Sequence, residues 1–159
     1  MKKILSILFM FAMLIATGMK ALADDAADAR AFFNSYVQAA NTYSPTVTGY
    51  YSPSAKIIRQ VVKPDGSTAN AYTDTATYIK QMKLGQASAK MRHYKNTYTN
   101  VTVTKVSEGK YKVSALRQPS GETYKLKTYM IVQKQPSGKW LIVEEMMQTK
   151  VQMFLKYAK

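Results

Sequence analysis

The C-terminal half of the chain contains four strand-length segments in direct succession, and this feature restricts the fold more than any other. Each segment alternates apolar and polar residues or is dense in Val, Ile, Tyr and Thr, as strands are. The segments are Thr97–Val106, Lys110–Arg117, Glu122–Lys134 and Trp140–Val151. A short glycine-containing turn separates each from the next, and two of these turns read Gln-Pro-Ser-Gly. Short connections between consecutive strands predict an antiparallel meander.

The N-terminal part of the chain has the pattern of helices. Apolar residues recur with the spacing of one helix face at positions 29, 32, 33, 36, 37 and 40, with polar residues between them. Asp24, Asp25 and Asp28 lie before or within the first turn, where carboxylates interact favourably with the helix dipole. Ser44 followed by Pro45 then predicts the start of a short second helix that ends near Gly49.

A hairpin and a third helix are predicted between these helices and the meander. The segment 55–62 is rich in β-branched residues, and Pro64-Asp65-Gly66 is a turn signal that folds it back onto a strand around 67–72. Thr73 or Asp74 can cap the next helix, which we expect Gly85 to weaken or to end. The tail 153–159 fits either a strand extension or a frayed end.

The first 23 residues have the features of a secretory signal peptide. Lys2 and Lys3 precede an apolar run over 4–15, and Ala21 and Ala23 form an A-x-A cleavage site before Asp24. The run is shorter than the ~20 apolar residues that a membrane span needs. We therefore expect cleavage, a single domain over 24–159, and a location in the periplasm or outside the cell.

Composition limits the chemistry and the partners of that domain. The chain has no cysteine, which excludes disulfides and thiolate chemistry. Its formal net charge is +14, and loss of the three lysines of the leader leaves +11. Dispersed lysines fit a solvated surface, or attraction to an anionic lipid or glycan surface or to an acidic face of an envelope protein. Export argues against nucleic acid, and the lone histidine argues against a metal site, so no cofactor is expected.

Helices that lie across one side of a curved sheet make an α+β fold. The chain resembles the nuclear transport factor 2-like superfamily in its order of elements and in segments spread over residues 26–151. These segments are 31–36 (Ala-Phe-Phe-Asn-Ser-Tyr), 50–55 (Tyr-Tyr-Ser-Pro-Ser-Ala), 92–94 (Arg-His-Tyr), 100–103 (Asn-Val-Thr-Val) and 140–143 (Trp-Leu-Ile-Val). The resemblance implies a cone with an open pocket and allows a homodimer. A cystatin-like fold is the alternative.

Few residues are candidates for acid–base chemistry. Strand alternation sends Glu144 and Glu145 to opposite faces of the last strand. If Trp140 and Ile142 face the concave side, Glu144 lies in the pocket with them, where burial would raise the pKa of its carboxyl group. Pairing with a lysine is the simpler expectation. His93 stands where proteins of this superfamily often place a pocket residue, although a structural role is the simpler interpretation here too.

Large apolar and tyrosine side chains complete the set of candidate pocket residues, because they suit both pockets and ordinary cores. The candidates are Tyr36, Tyr51, Tyr78, Met82, His93, Tyr129, Trp140 and Glu144. We expect an exported, non-catalytic domain that binds a small apolar ligand or a protein partner in its cone. The alternatives are an accessory subunit of a cell-envelope assembly, such as a secretion system, and an isomerase, dehydratase or cyclase of the ketosteroid-isomerase type.

Overall fold

A computed structural model describes residues 24–158, and its helices and strands follow one another in the order that the sequence indicates. Helix α1 covers 24–41, and a 3₁₀ helix follows at Pro45–Tyr50. The remaining elements are β1 (Tyr51–Val62), β2 (Thr68–Thr73), α2 (Thr75–Met91), β3 (Asn96–Ser107), β4 (Lys110–Pro119), β5 (Leu126–Lys134), β6 (Trp140–Thr149) and a C-terminal 3₁₀ helix (Gln152–Tyr157). The predicted leader lies outside the described residues.

The six strands form one sheet in the order β2-β1-β6-β5-β4-β3. The predicted hairpin and the predicted meander are both present, and neighbouring strands in them are antiparallel. The two units join through a parallel pairing of β1 with β6. The sheet is therefore mixed rather than wholly antiparallel, because the last strand of the meander returns beside the first strand of the hairpin. The predicted α+β class is confirmed.

The pairing register shifts at four places in the sheet, once in β1–β6, once in β5–β6 and twice in β3–β4. In β6, Ile142 is opposite Val132 while Glu144 is opposite Ile131, so β6 has one residue more than β5 over this step. In β3, the register shifts between Thr99 and Thr102, and Asn100 has a φ of +53°. Extra residues of this kind bend a strand and change the face to which the following side chains point.

The core lies between the helices and the concave face of the sheet. Helix α1 contributes Ala29, Phe33 and Tyr36, as its apolar periodicity predicts, and also Ala39. The other predicted positions of this face, 32, 37 and 40, are partly buried against the core. Opposite them are apolar side chains of the meander, namely Tyr111, Val113, Ala115, Met130, Val132, Trp140 and Ile142. Burial of this apolar area provides the main stabilisation, at roughly 25 cal/mol per Å² removed from water.

Helix α2 is longer than the sequence indicates. It begins at the N-cap Asp74, whose side chain accepts a hydrogen bond from the backbone N–H of Thr77 at 2.8 Å. Of the two effects expected of Gly85, an end to the helix is wrong, because the helix continues to Met91. A β-carbon at Gly85 would have no atom within 4 Å, so no close packing requires a glycine there. One glycine costs a helix only about 1 kcal/mol, too little to end it.

The C-terminal end of α2 has the hydrogen bonds of a Schellman motif. The backbone N–H of Tyr94 donates to the carbonyl of Ala89 at 2.9 Å, and that of His93 donates to Lys90 at 3.1 Å. His93 occupies the left-handed position with a φ of +51°, which glycine usually fills. The helix end thus depends on an exposed histidine in a strained conformation.

The C-terminal tail is neither of the two expected forms. Its 3₁₀ helix packs beside the hairpin, and Gln152 donates a hydrogen bond to the carbonyl of Val62 at 2.9 Å. Ala158 forms an isolated bridge with Ala71 on β2. Within 24–158, no helix is long and apolar enough to cross a membrane.

Candidate functional site

A buried polar cluster lies between α1, α2 and the sheet, and it consists of Tyr36, Tyr51, Arg59, Tyr78 and Glu145. Glu145 is its centre and is 0% exposed. Its carboxylate accepts hydrogen bonds from the hydroxyl of Tyr51 at 2.5 Å, from Nη1 of Arg59 at 2.8 Å and from the hydroxyl of Tyr78 at 3.3 Å. We call these five residues the interior cluster.

The remaining contacts of the interior cluster hold the rings in place. The hydroxyls of Tyr36 and Tyr51 are 2.9 Å apart. Because Tyr51 donates its proton to Glu145, Tyr36 is the donor of this second bond. The guanidinium of Arg59 stacks on the ring of Tyr78, 4.7 Å from its centre. The cluster is therefore a closed network in which the buried carboxylate and the buried guanidinium neutralise each other.

The cluster shifts the pKa values of its own members. Burial, and next the charge of Glu145, raise the pKa values of the Tyr36 and Tyr51 hydroxyls well above 10.0. Burial also raises the pKa of Tyr78. Burial by itself lowers the pKa of Arg59, but Tyr78, Glu145 and Tyr51 outweigh it and leave that pKa above its ordinary value. The tyrosines stay neutral and Arg59 stays charged over the physiological pH range.

A separate cleft opens between the end of α1, the 3₁₀ helix and α2. Its volume is about 400 Å³, within the range of roughly 300–1,000 Å³ of small-molecule sites. The walls are mostly apolar or aromatic and include Ala40, Tyr43, Pro45, Val47, Met82, Ala89 and Tyr94. We call this cavity the helix cleft.

Polar groups fix the geometry of the helix cleft. Asn41 and the backbone of Asn96 exchange two hydrogen bonds of 2.9 Å, which join α1 to the start of β3. Gln86 of α2 donates to the carbonyl of Tyr43 at 2.7 Å. Tyr43 has a φ of +57°, and its hydroxyl is buried without a hydrogen-bond partner. The Tyr43 ring lines the cleft, but because its hydroxyl is itself buried, the wall that a ligand would meet is mostly apolar.

A wider surface groove runs beside Trp140. It is lined by Phe32, Tyr50 and the 3₁₀ helix on one side and by Lys139 and Trp140 on the other. The ring of Trp140 contacts Tyr111 at a centroid distance of 6.0 Å, so the indole is mostly buried in the core.

The structure divides the predicted pocket residues among five places. Tyr36, Tyr51 and Tyr78 meet in the interior cluster, Met82 lines the helix cleft and Trp140 lines the surface groove. His93 is exposed at the end of α2 and lines none of the cavities described here. Tyr129 and Glu144 lie together on the other face of the sheet, where the hydroxyl of Tyr129 donates to Glu144 at 2.6 Å.

The expected position of Glu144 needs correction. Trp140 and Ile142 do face the core, but the bulge shifts the alternation by one residue, so that Glu145 faces inward and Glu144 outward. Glu144 is 23% exposed and lies 3.8 Å from Lys56, so the expected pairing with a lysine is present.

Arg59, like Glu145, is a residue of the interior cluster that the sequence interpretation missed. It alternates with the buried residues Ile57 and Val61, which was the available signal for a side chain on the core face. Within residues 24–158, no group of three or more His, Cys, Asp or Glu side chains is arranged to hold a metal ion.

No family model and no curated protein sequence matches the chain. Solved structures do match. A nuclear transport factor 2-like protein of unknown function from Shewanella oneidensis is 14% identical, with a TM-score of 0.56 over 80% of this chain and 98% of its own. A domain of unknown function with a cystatin-like fold from Nostoc punctiforme is 17% identical, with a TM-score of 0.57 over 84% of each chain.

A candidate scytalone dehydratase from Novosphingobium aromaticivorans is also similar. It is 15% identical, with a TM-score of 0.56 over 82% of this chain and 86% of its own. At these identities the likeness concerns the backbone architecture alone, since one fold hosts unrelated functions. The suspected resemblance is confirmed at that level: this chain has the nuclear transport factor 2-like fold.

Proposed function

We propose that the chain is a non-catalytic binding domain that takes a small, mostly apolar ligand in the helix cleft. The observation that carries this proposal is the contrast between two interior regions. The helix cleft is a cavity of about 400 Å³ with mostly apolar walls. The interior cluster holds the buried carboxylate, and its groups already bind one another.

The state of Glu145 argues against a role as a general base. A base must lie within hydrogen-bond reach of the proton that it removes. Glu145 is 0% exposed, and its two oxygens accept from Tyr51, Arg59 and Tyr78. A substrate could reach it only after the ion pair with Arg59 had opened, and breaking a buried pair costs about 3–5 kcal/mol.

The expected export determines which small molecules the domain can meet. The signal peptide expected over residues 1–23 would place the domain in the periplasm or outside the cell. There the accessible small molecules include lipidic and aromatic compounds that partition out of water, which suits a cleft lined by Met82, Tyr94 and Val47.

Ligand binding can be tested by filling the cleft. Ala89 lines the helix cleft, whereas Ala87 lies on the exposed face of the same helix. We expect Ala89→Phe to abolish binding of the neutral fluorescent probe N-phenylnaphthylamine, and Ala87→Phe to bind it like wild type. Equal binding by both variants would contradict a site in the helix cleft. Turnover of steroid-like or polyketide-like ketones that Glu145→Gln abolishes would contradict a non-catalytic role.

A second candidate function is that of an accessory subunit in a cell-envelope assembly. The outer face of α2 favours it, because Leu84 is 74% exposed and Met91 is 77% exposed. Lys80 and Lys90 are exposed on the same helix, which contains no acidic residue. Such a surface fits an acidic protein partner. A pull-down from envelope extracts at low and high salt tests it, and absence of any salt-sensitive partner would count against it.

A further inference from the structure

A second buried arginine lies two strands away from Glu145 in the sheet, and it has no carboxylate partner among residues 24–158. Arg117 of β4 is only 4% exposed. Its Nη1 donates to the side-chain oxygen of Asn96 and its Nη2 to the carbonyl of Gln148, both at 2.8 Å. Both acceptors are neutral, and the Nε atom is buried without any partner.

The two buried arginines differ in their partners. Arg59 has Glu145 at 2.8 Å, but none of the ion pairs among residues 24–158 includes Arg117. A buried charge is costly unless an opposite charge and hydrogen bonds compensate for it. The chain therefore maintains a guanidinium whose natural counter-ion is missing from the described residues.

Arg117 lies at the wall of a small cavity of about 200 Å³. Lys150 also lines this cavity, and its ammonium is held 4.0 Å above the centre of the Tyr124 ring. Tyr94 contributes a second hydroxyl-bearing ring, and the apolar walls include Leu126 and Val151. The cavity thus combines two cations with apolar surface in a space suited to a molecule of a few heavy atoms. We call it the Arg117 pocket.

We propose that the Arg117 pocket binds a small carboxylate with a short apolar body. The planar guanidinium of arginine matches the two oxygens of a carboxylate, and Arg117 lines the pocket with N–H groups beyond the two that Asn96 and Gln148 accept. Lys150 adds a second positive charge at the rim, and Leu126 and Val151 contact the apolar body. This site is distinct from the helix cleft and does not depend on the function proposed for that cleft.

Glu122 is the one acidic residue of the pocket and provides a sharp control. It is exposed at the rim, and its charge opposes a bound anion. If Glu122 were itself the counter-ion of Arg117, its neutralisation would destabilise the protein and leave anion binding absent. If the pocket is a site for an external carboxylate, Glu122→Gln removes a repulsion and strengthens binding.

The test is calorimetric titration of the purified protein with butyrate, with the uncharged isostere butyramide and with inorganic phosphate. We expect only butyrate to bind. In NMR spectra, we expect the protein amide protons whose chemical shifts change on butyrate addition to centre on Tyr94, Tyr124 and Lys150. Arg117→Gln should weaken butyrate binding by at least about tenfold. Lys150→Gln should weaken it about two- to fivefold, whereas Lys139→Gln, on an exposed turn, should leave it unchanged.

The contrary outcomes are equally specific. Equal binding of phosphate and butyrate would overturn the assignment to a carboxylate with an apolar body. Butyrate binding that neither Lys150→Gln nor Glu122→Gln changes would show attraction to the general lysine surface, and absence of binding would overturn the site itself. The two rim variants keep the proposal testable if Arg117→Gln does not fold, because Lys150 and Glu122 lie outside the core.

Discussion

Removal of the charge of Glu145 is the most informative perturbation of this fold. In Glu145→Gln the side chain keeps its size, but Arg59 loses its counter-ion and the new amide nitrogen faces groups that are themselves donors. Breaking a buried ion pair in this way costs about 3–5 kcal/mol. The side chain of Arg59 is 13% exposed, so little solvent screening is available to reduce that cost.

The assay is equilibrium unfolding in urea, followed by thermal unfolding. For a domain of this size, 1 kcal/mol corresponds to roughly 4 °C, so we expect the melting temperature to fall by about 10–20 °C. The matched control is Glu144→Gln on the other face of the sheet, where the ion pair with Lys56 is 3.8 Å long and partly solvated. That change should cost less than about 1 kcal/mol.

A double replacement distinguishes the cost of losing the ion pair from the cost of leaving one buried charge without a partner. We expect Arg59→Met combined with Glu145→Leu to be more stable than Glu145→Gln alone, because no buried charge remains unpaired. A free energy of unfolding for Glu145→Gln within about 1 kcal/mol of wild type, at an unchanged urea m-value, would show that Arg59 and Glu145 are not a buried, coupled pair.

Three further predictions concern the backbone and the tyrosines. Gly85→Ala should stabilise the protein by about 0.5–1 kcal/mol, since the added methyl group lies in mid-helix and meets no atom within 4 Å. In the same urea assay Gly66→Ala should destabilise the protein, because Gly66 has a φ of +84°. His93→Gly should also stabilise by a similar amount, about 0.5–1 kcal/mol, because glycine suits the left-handed position that closes α2, and a loss of stability in urea would contradict this. Above pH ~10 the free energy of unfolding should fall as pH rises, because Tyr51 loses its proton in the unfolded chain, whereas burial and Glu145 keep it protonated in the folded chain. Tyrosinate absorbance that rises only with unfolding would confirm this direction.

Local chemistry explains the part of this fold that the sequence predicts well. The glycine-containing turns fix the meander, and the spacing of apolar residues in 29–40 fixes the buried face of α1. The cap at Asp74 likewise marks the start of α2. Each of these signals lies within a few residues of the feature that it specifies, so a single sequence contains it.

The features that sequence interpretation missed depend on contacts between distant segments. The bulge that turns Glu145 inward arises where β6 pairs with both β5 and β1. Alternation along β6 alone therefore favours Glu144. Arg117 continues the inward alternation of Tyr111 and Val113, and that was a readable sign of a buried arginine. The absence of an acidic partner for it, however, emerges only from the folded arrangement.

Native mass spectrometry of the protein, purified from its own cells without denaturation, tests most directly whether the helix cleft holds a ligand. A ligand-binding helix cleft predicts a small-molecule mass adduct on wild type and on Ala87→Phe that is absent from Ala89→Phe, whose added ring fills the cleft. An adduct carried equally by all three proteins, or by none of them, would contradict the claim that the helix cleft is the ligand site.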